Sequence, residues 1–244
     1  MTAAVDILAQ AAAGIFVHVG DFLALDGAQV NAADAQGWTL LHYVAAAEAR
    51  GQDVDDSVHM LLQAGADIHV VNGQGDTPFN IAAPASPTCG RLMTEHWLGQ
   101  ALMGRGAKGV NDRSGSHQST LAQYMAKWSR DEDIETQLTQ AVAAGMKLDV
   151  RNGAGWTPVT AAAAMGRAAI VEAFVWHYDY AAIAARTVEE YVAQYGGCRV
   201  VYAAGLDAGG VAQARLTQDK NLTSVQKSDY AKTIAFILLK LSGG

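Results

Sequence analysis

Cysteine is scarce in this chain: the two copies, Cys89 and Cys198, stand far apart, with no CxxC and no paired-histidine spacing. That excludes a disulfide framework and a structural zinc site, and it suits a reducing compartment. Basic residues are also short, 17 Lys and Arg against 24 Asp and Glu, and no stripe of them could neutralise a phosphate backbone. Nucleic acid is therefore excluded as a partner. The apolar stretch over residues 1–22 has no Lys or Arg ahead of it and is broken by Asp6, Gly14 and Asp21. It reads as neither a secretory signal nor a membrane span, so no membrane insertion is expected. The expected location is the cytoplasm, or export by a route that needs no cleaved leader. No Gly-Lys-Ser/Thr occurs, and the glycine-rich stretches 152–155 and 205–210 lack the spacing of a phosphate loop.

What the chain has instead is hydrophobic residues, half of the total, and a repeat. With 244 residues it can bury a sizeable core. The stretches "DAQGWTLLHYVAAA" from Asp34, "NGQGDTPFNIAA" from Asn72 and "NGAGWTPVTAAAA" from Asn152 are variants of one pattern, and "DRSGSHQSTLAQYMA" from Asp112 is a looser one. Their threonines, Thr39, Thr77, Thr120 and Thr157, lie 38, 43 and 37 residues apart. Gly27, Gly65, Gly106 and Gly145, each following an apolar helical segment, are separated by 38, 41 and 39. Two landmarks drift together, so the repeat is real. A faint fifth copy places Thr187 in register.

Each unit has a physical reading. The Asn72-Gly73 and Asn152-Gly153 pairs supply positive φ for a tight turn. The threonine then caps a helix, with Pro78 or Pro158 at the first helical position, where a missing N–H does no harm. A second helix follows, apolar at Val58, Leu61 and Leu62, at Ile134, Leu138 and Val142, or at Ile170, Val171, Phe174 and Val175. Acidic starts at Asp55-Asp56 and Asp131-Glu132-Asp133 suit its N-terminus, and Gly65 or Gly145 ends it in a left-handed turn. No unit buries its apolar face alone, so the units must stack.

These residues resemble the ankyrin repeat, whose motif joins a turn, Thr-Pro-Leu-His, Ala-Ala, a Leu-Leu helix and Gly-Ala-Asp. The resemblance is carried by "GWTLLHYVAA", "GDTPFNIAA", "GWTPVTAAA" and "LLQAGADIH", and runs over about residues 3–196. It implies an all-α solenoid: a stack of helix-turn-helix units joined by β-hairpin fingers, with helical caps, in one continuous domain. Residues 1–33 read as an N-terminal capping helix pair. The repeats occupy 34–71, 72–111, 112–151, 152–180 and, in part, 181–196, and 197–244 form a C-terminal helical cap, with Ile234, Ile237, Leu238 and Leu241 on one helix face. The period exceeds the family's, and the excess falls mainly between the two helices of a unit.

The resemblance also implies function: a non-catalytic module that binds another protein through the concave finger and inner-helix surface. Proteins of this kind serve as adaptors and inhibitors and, in bacteria, as secreted effectors or toxin antidotes; the alanine-rich, irregular repeats suit a bacterial origin. Trp38 and Trp156 follow the turn glycine, and Asp76 holds that place in the unit between. Tyr43 and Tyr124 align on the first helices, and Gln36, Gln74 and Arg113 are polar finger positions. These eight residues are the expected partner-binding set, with the tryptophans either forming a recognition ridge or lying flat on the neighbouring finger. His42 matches the family's structural histidine and is expected to tie one finger to the next. The other histidines show no ligand spacing, so neither metal nor cofactor is expected, and the chain alone is expected to be a monomer. The alternative is an enzyme with its chemistry in the tail, built on Cys198 with His177 and Asp179.

Overall fold

The computed structural model describes residues 2–16, 19–20, 29–48, 51–82, 87–105, 108–177, 185–187, 190–195 and 198–242. It divides into two compact units, residues 1–96 with 114–116, and residues 97–113 with 117–244. Gly27, Gly106, His18 and Asp179, which the sequence analysis used, lie outside the described residues.

In the first unit, α1 (Thr2–Ala12) packs on α2 (Leu40–Glu48), and α2 packs on α3 (Asp55–Gln63) and on the short α4 (Pro78–Ile81). Only the first helix of the expected N-terminal pair is among the described helices. The core takes Leu40, Leu41 and Val44 from α2 and Val58, Leu61 and Leu62 from α3. Gly65 ends α3 with φ +88°, as the spacing predicts. The N-terminus of α5 (Pro87–Leu102) is held by a carboxylate from α2: Glu48 accepts from the Thr88 and Cys89 amides, each at 2.8 Å. A negative charge there satisfies two orphan donors and complements the helix dipole.

Positive φ falls at a different glycine from the one expected. Gly37, Gly75 and Gly155 adopt φ +79°, +82° and +76°. Gly73 and Gly153 instead allow a neighbouring backbone to come close. Their amides donate to the carbonyls of Gln36 and His117, both at 2.7 Å, and an added Cβ would stand 3.0 and 3.2 Å from those oxygens. Each finger tip is closed from within by one side chain: Asp34 Oδ1 accepts from Gln36 and Trp38, Asn72 Oδ1 from Gln74 and Asp76, and Asn152 Oδ1 from Ala154 and Trp156. Such side-chain turns need little strand pairing. The third finger carries two-residue strands, β1 (Arg113–Ser114) and β2 (Ser119–Thr120), and the first is paired through a single bridge, Ala33 with Thr39.

The second unit contains helix pairs in a fixed order. α6 (Leu121–Trp128) packs on α8 (Pro158–Ala164), and α8 packs on α10 (Ala208–Gln218). Alongside, α7 (Ile134–Ala143) packs on α9 (Ala168–Trp176), and α9 on α11 (Ser224–Ser242). Alanines make the close approach possible: Ala161, Ala162, Ala163 and Ala164 are all buried. The acidic triplet 131–133 precedes α7 rather than opening it, and Val142, expected inside, is 39 % exposed.

The tail departs from the all-helical expectation. Strands β3 (Tyr191–Tyr195) and β4 (Cys198–Tyr202) form an antiparallel hairpin. Thr187, expected to start a helix, closes this segment instead: its amide donates to Leu206, its carbonyl accepts from Gly205 and its hydroxyl donates to Ala203. The next helix start is supplied by Asp207, which accepts from Gly210 N at 2.8 Å and caps α10. The tail is therefore a further helix pair whose finger position is taken by a β-hairpin. On α11 the buried residues are Tyr230, Thr233 and Ile237, while Leu238 is 57 % exposed, so the inward stripe is offset from the one read in the sequence.

Candidate functional site

The first two fingers are joined by His42. Its Nδ1 accepts from the Thr39 hydroxyl (2.9 Å) and amide (3.2 Å), which leaves the proton on Nε2 to donate to the Asp76 carbonyl at 3.0 Å. The expected tie between fingers is present. The third residue after the capping threonine has the same local task elsewhere. Asn80 accepts from Thr77, and Gln123 accepts from Thr120 through Oε1 and donates through Nε2 to the Trp156 carbonyl at 3.1 Å. Gln123 thus reproduces the His42 linkage with an amide. Sequence reading missed it, although Thr-x-x-Gln is the spacing of a capping box.

Burial holds the His42 imidazole below its ordinary value of 6.5, against the opposing pull of the Asp76 carbonyl and of the Asp76 and Asp34 charges. The unfolded chain therefore binds the proton at a higher pH than the folded one. Stability is full above about pH 6.5 and declines as pH falls from there towards the folded value. His42→Gln, which copies Gln123, is expected to keep the linkage and flatten that decline; urea midpoints measured across this range check it. Some slope will remain, because burial also lowers His96.

Beside His42 lies an aromatic pair. The Trp38 and Tyr43 rings are 5.0 Å apart and tilted by 39°, and Trp38 is 5.8 Å from the His42 ring. Both are half-buried. Tyr43 donates its hydroxyl to Asp34 Oδ2, so the carboxylate that closes the finger also fixes the tyrosine. Burial, and then Asp34, push the Tyr43 hydroxyl up to about 12. Burial works against the Asp34 charge, but the Tyr43 hydroxyl and the Trp38 and Gln36 amides outweigh it and hold the carboxyl below its ordinary range. Gln36 and Gln74 are exposed and Asp76 is half-buried, so the first unit gathers five of the expected residues, four on adjoining fingers and Tyr43 on α2.

The three expected residues of the second unit divide. Arg113 is exposed, with Nη1 donating to the Gln118 carbonyl. Tyr124 is 3 % exposed against Trp97, and Trp156 is 6 % exposed, meeting Tyr191 and Tyr202 edge-on at 5.2 and 5.1 Å. Tyr124 is not the open side chain expected of it, and the burial of Trp156 agrees with the packed one of the two readings given for the tryptophans. For Trp156, the hairpin strands β3 and β4 supply the cover.

The tail candidates for catalysis take separate partners. Cys198 donates its thiol to the Gln218 carbonyl at 3.3 Å, and His177 Nε2 lies 3.4 Å from Glu135 Oε2. The other thiol, Cys89, is buried, and burial and then the Glu48 charge push it well above its ordinary value. Among the described residues there is no group of His, Cys, Asp and Glu that could hold a metal ion, and no helix is long and apolar enough to cross a membrane.

A search of curated proteins finds no match. A family model described as ankyrin repeats (many copies) matches residues 45–86, from within α2 through the second finger and past α4. The match falls on the segment that holds the finger linked to His42, and over these residues it supports the resemblance to the ankyrin repeat.

Proposed function

We propose that the chain is a non-catalytic binding module that recognises another protein through its fingers and first helices. In this reading the repeats follow the boundaries given above, Gln36, Trp38, Tyr43, Gln74 and Asp76 form the binding surface of the first unit, and Arg113 is an exposed contact residue of the second. Tyr124 and Trp156, packed within the second unit, stabilise the finger and helices there. The observation that carries the reading is the Trp38–Tyr43 pair: two large rings, neither wholly buried, held by a finger whose closure already uses their anchoring carboxylate. Rigid aromatics of this kind lose little entropy on binding and act as anchors, each contributing about 2 kcal/mol or more.

The test is affinity capture from a lysate of the source organism with the intact chain and with a Trp38→Ala/Tyr43→Ala variant, after circular dichroism has shown that both are folded. A protein retained by the intact chain and lost by the variant supports the surface. Equal retention by both would place the interaction elsewhere on the molecule and sink this reading.

A further inference from the structure

We infer that the partner of the Trp38–Tyr43 surface is a cationic protein segment, rich in arginine or lysine, that lays its charged side chains over these rings beside Asp76. The inference rests on the reading of this surface as a binding site. It begins with a charge asymmetry that the total of −7 conceals. Residues 1–96 and 114–116 contain 11 Asp and Glu but only two basic residues, Arg50 and Arg91, whereas the rest of the chain has 13 acidic and 15 basic residues. Arg91 is already engaged, with Nη1 at 3.1 Å from both carboxylate oxygens of Glu95.

The second observation concerns the rings. Elsewhere in the molecule aromatic rings take a cation from the chain itself: Lys127 over Tyr124, Arg215 over Tyr230, and Lys240 over Trp176 and Phe236. Among the described residues no Lys or Arg lies over Trp38 or Tyr43. Close by, the Asp76 carboxylate has no ion-pair partner among the described residues, while its backbone is fixed by the His42 and Asn72 bonds. The Asp34 charge persists as well, because the finger amides and the Tyr43 hydroxyl hold the carboxyl ionised. Two half-buried rings, the Asp34 carboxylate held beside them and the Asp76 carboxylate on the adjoining finger, in a strongly negative unit, are what a guanidinium or ammonium group seeks: attraction to the ring quadrupole, a charge partner and a field that steers it inward. An acidic segment would meet repulsion from the same field.

The test uses three fluorescein-labelled peptides of equal length, one alternating Arg and Gly, one Glu and Gly, and one Leu and Ser, titrated with the full chain by fluorescence anisotropy. The Arg peptide is expected to bind, and more weakly as salt rises from about 0.02 M to about 0.3 M. Trp38→Ala and Asp76→Asn should each weaken it about fivefold or more, with circular dichroism unchanged. Asp55→Asn/Asp56→Asn, which removes two charges from the first turn of α3 in the same unit, should change it less than about twofold. A loss with Asp55→Asn/Asp56→Asn as large as with Asp76→Asn would reduce the binding to diffuse charge attraction and overturn the inference. Trp38-dependent binding of the neutral or acidic peptide would overturn it too, yet leave the surface standing. If no peptide binds while lysate capture still depends on Trp38 and Tyr43, the cationic preference falls and the binding reading survives; if capture is independent of them as well, both fall.

Discussion

Asp219→Ala is expected to destabilise the chain by about 3–5 kcal/mol, the cost of leaving a buried charge without its partner. Arg215 and Asp219 have side-chain exposures of 9 % and 2 %, with Arg215 Nε donating to Asp219 Oδ2 at 2.7 Å. The other carboxylate oxygen accepts from the Asn221 amide at 3.0 Å. Removing the carboxylate strips a charge partner from Arg215 and a bond from the turn after α10. The guanidinium also faces the Tyr230 ring, 6.0 Å from its centroid, so the disturbance reaches α11. Against a total stability of about 5–15 kcal/mol, that loss should be visible as a large drop in the urea midpoint. Arg215→Met combined with Asp219→Leu is expected to recover most of it, because an apolar pair carries no desolvation penalty. A single variant with an unchanged midpoint would show that the pair contributes nothing.

Gly166→Ala is the second large effect, at about 3 kcal/mol or more, since two costs fall on one atom. Gly166 adopts φ +67°, and a Cβ there would stand 2.8 Å from two carbons of the Tyr230 ring. The ring cannot swing aside cheaply: Tyr230 is 2 % exposed and its hydroxyl donates to the Ala164 carbonyl at 2.7 Å. The two costs separate in a mutant cycle. In a Tyr230→Leu background the clash is relieved, and Gly166→Ala should cost only about 1 kcal/mol, the backbone strain that remains. An equal cost in both backgrounds would mean that the ring moves away freely and that strain is the whole effect.

Local chemistry was legible in the residues because it repeats and because it is local. Thr77 and Thr157 cap their helices and Gly65 and Gly145 end theirs with positive φ, since each interaction spans only a few residues of chain. His42 was legible for another reason: the resemblance to the ankyrin repeat implied a histidine that ties one finger to the next, and the bond to the Asp76 carbonyl is that tie. The roles of Gly73 and Gly153 were not. Asn-Gly reads as a turn with positive φ, but the φ fell two residues later, and these glycines serve a neighbouring carbonyl that no local rule can see.

The tail was misread for a different reason. Gly196-Gly197 between the Tyr- and Val-rich runs 191–195 and 198–202 is a hairpin signal, but the register of Thr187 with the repeat threonines took precedence over it, and the Leu206 and Gly205 bonds that close the segment on Thr187 are not local. That hairpin changes the meaning of Trp156. As a finger-tip aromatic it reads as a binding residue; beneath Tyr191 and Tyr202 it is a packed one. Trp38, at the equivalent place in the first finger, remains half-buried.

The sequence by itself determined the repeating unit, its caps and its turns, because these follow from short-range sterics and hydrogen bonding written into each copy. Only the tertiary structure decided which copies of one motif stay partly open and which are covered, and which helices make up the tail pair. Burial depends on what lies across the contact, and each residue's neighbour there belongs to another part of the chain.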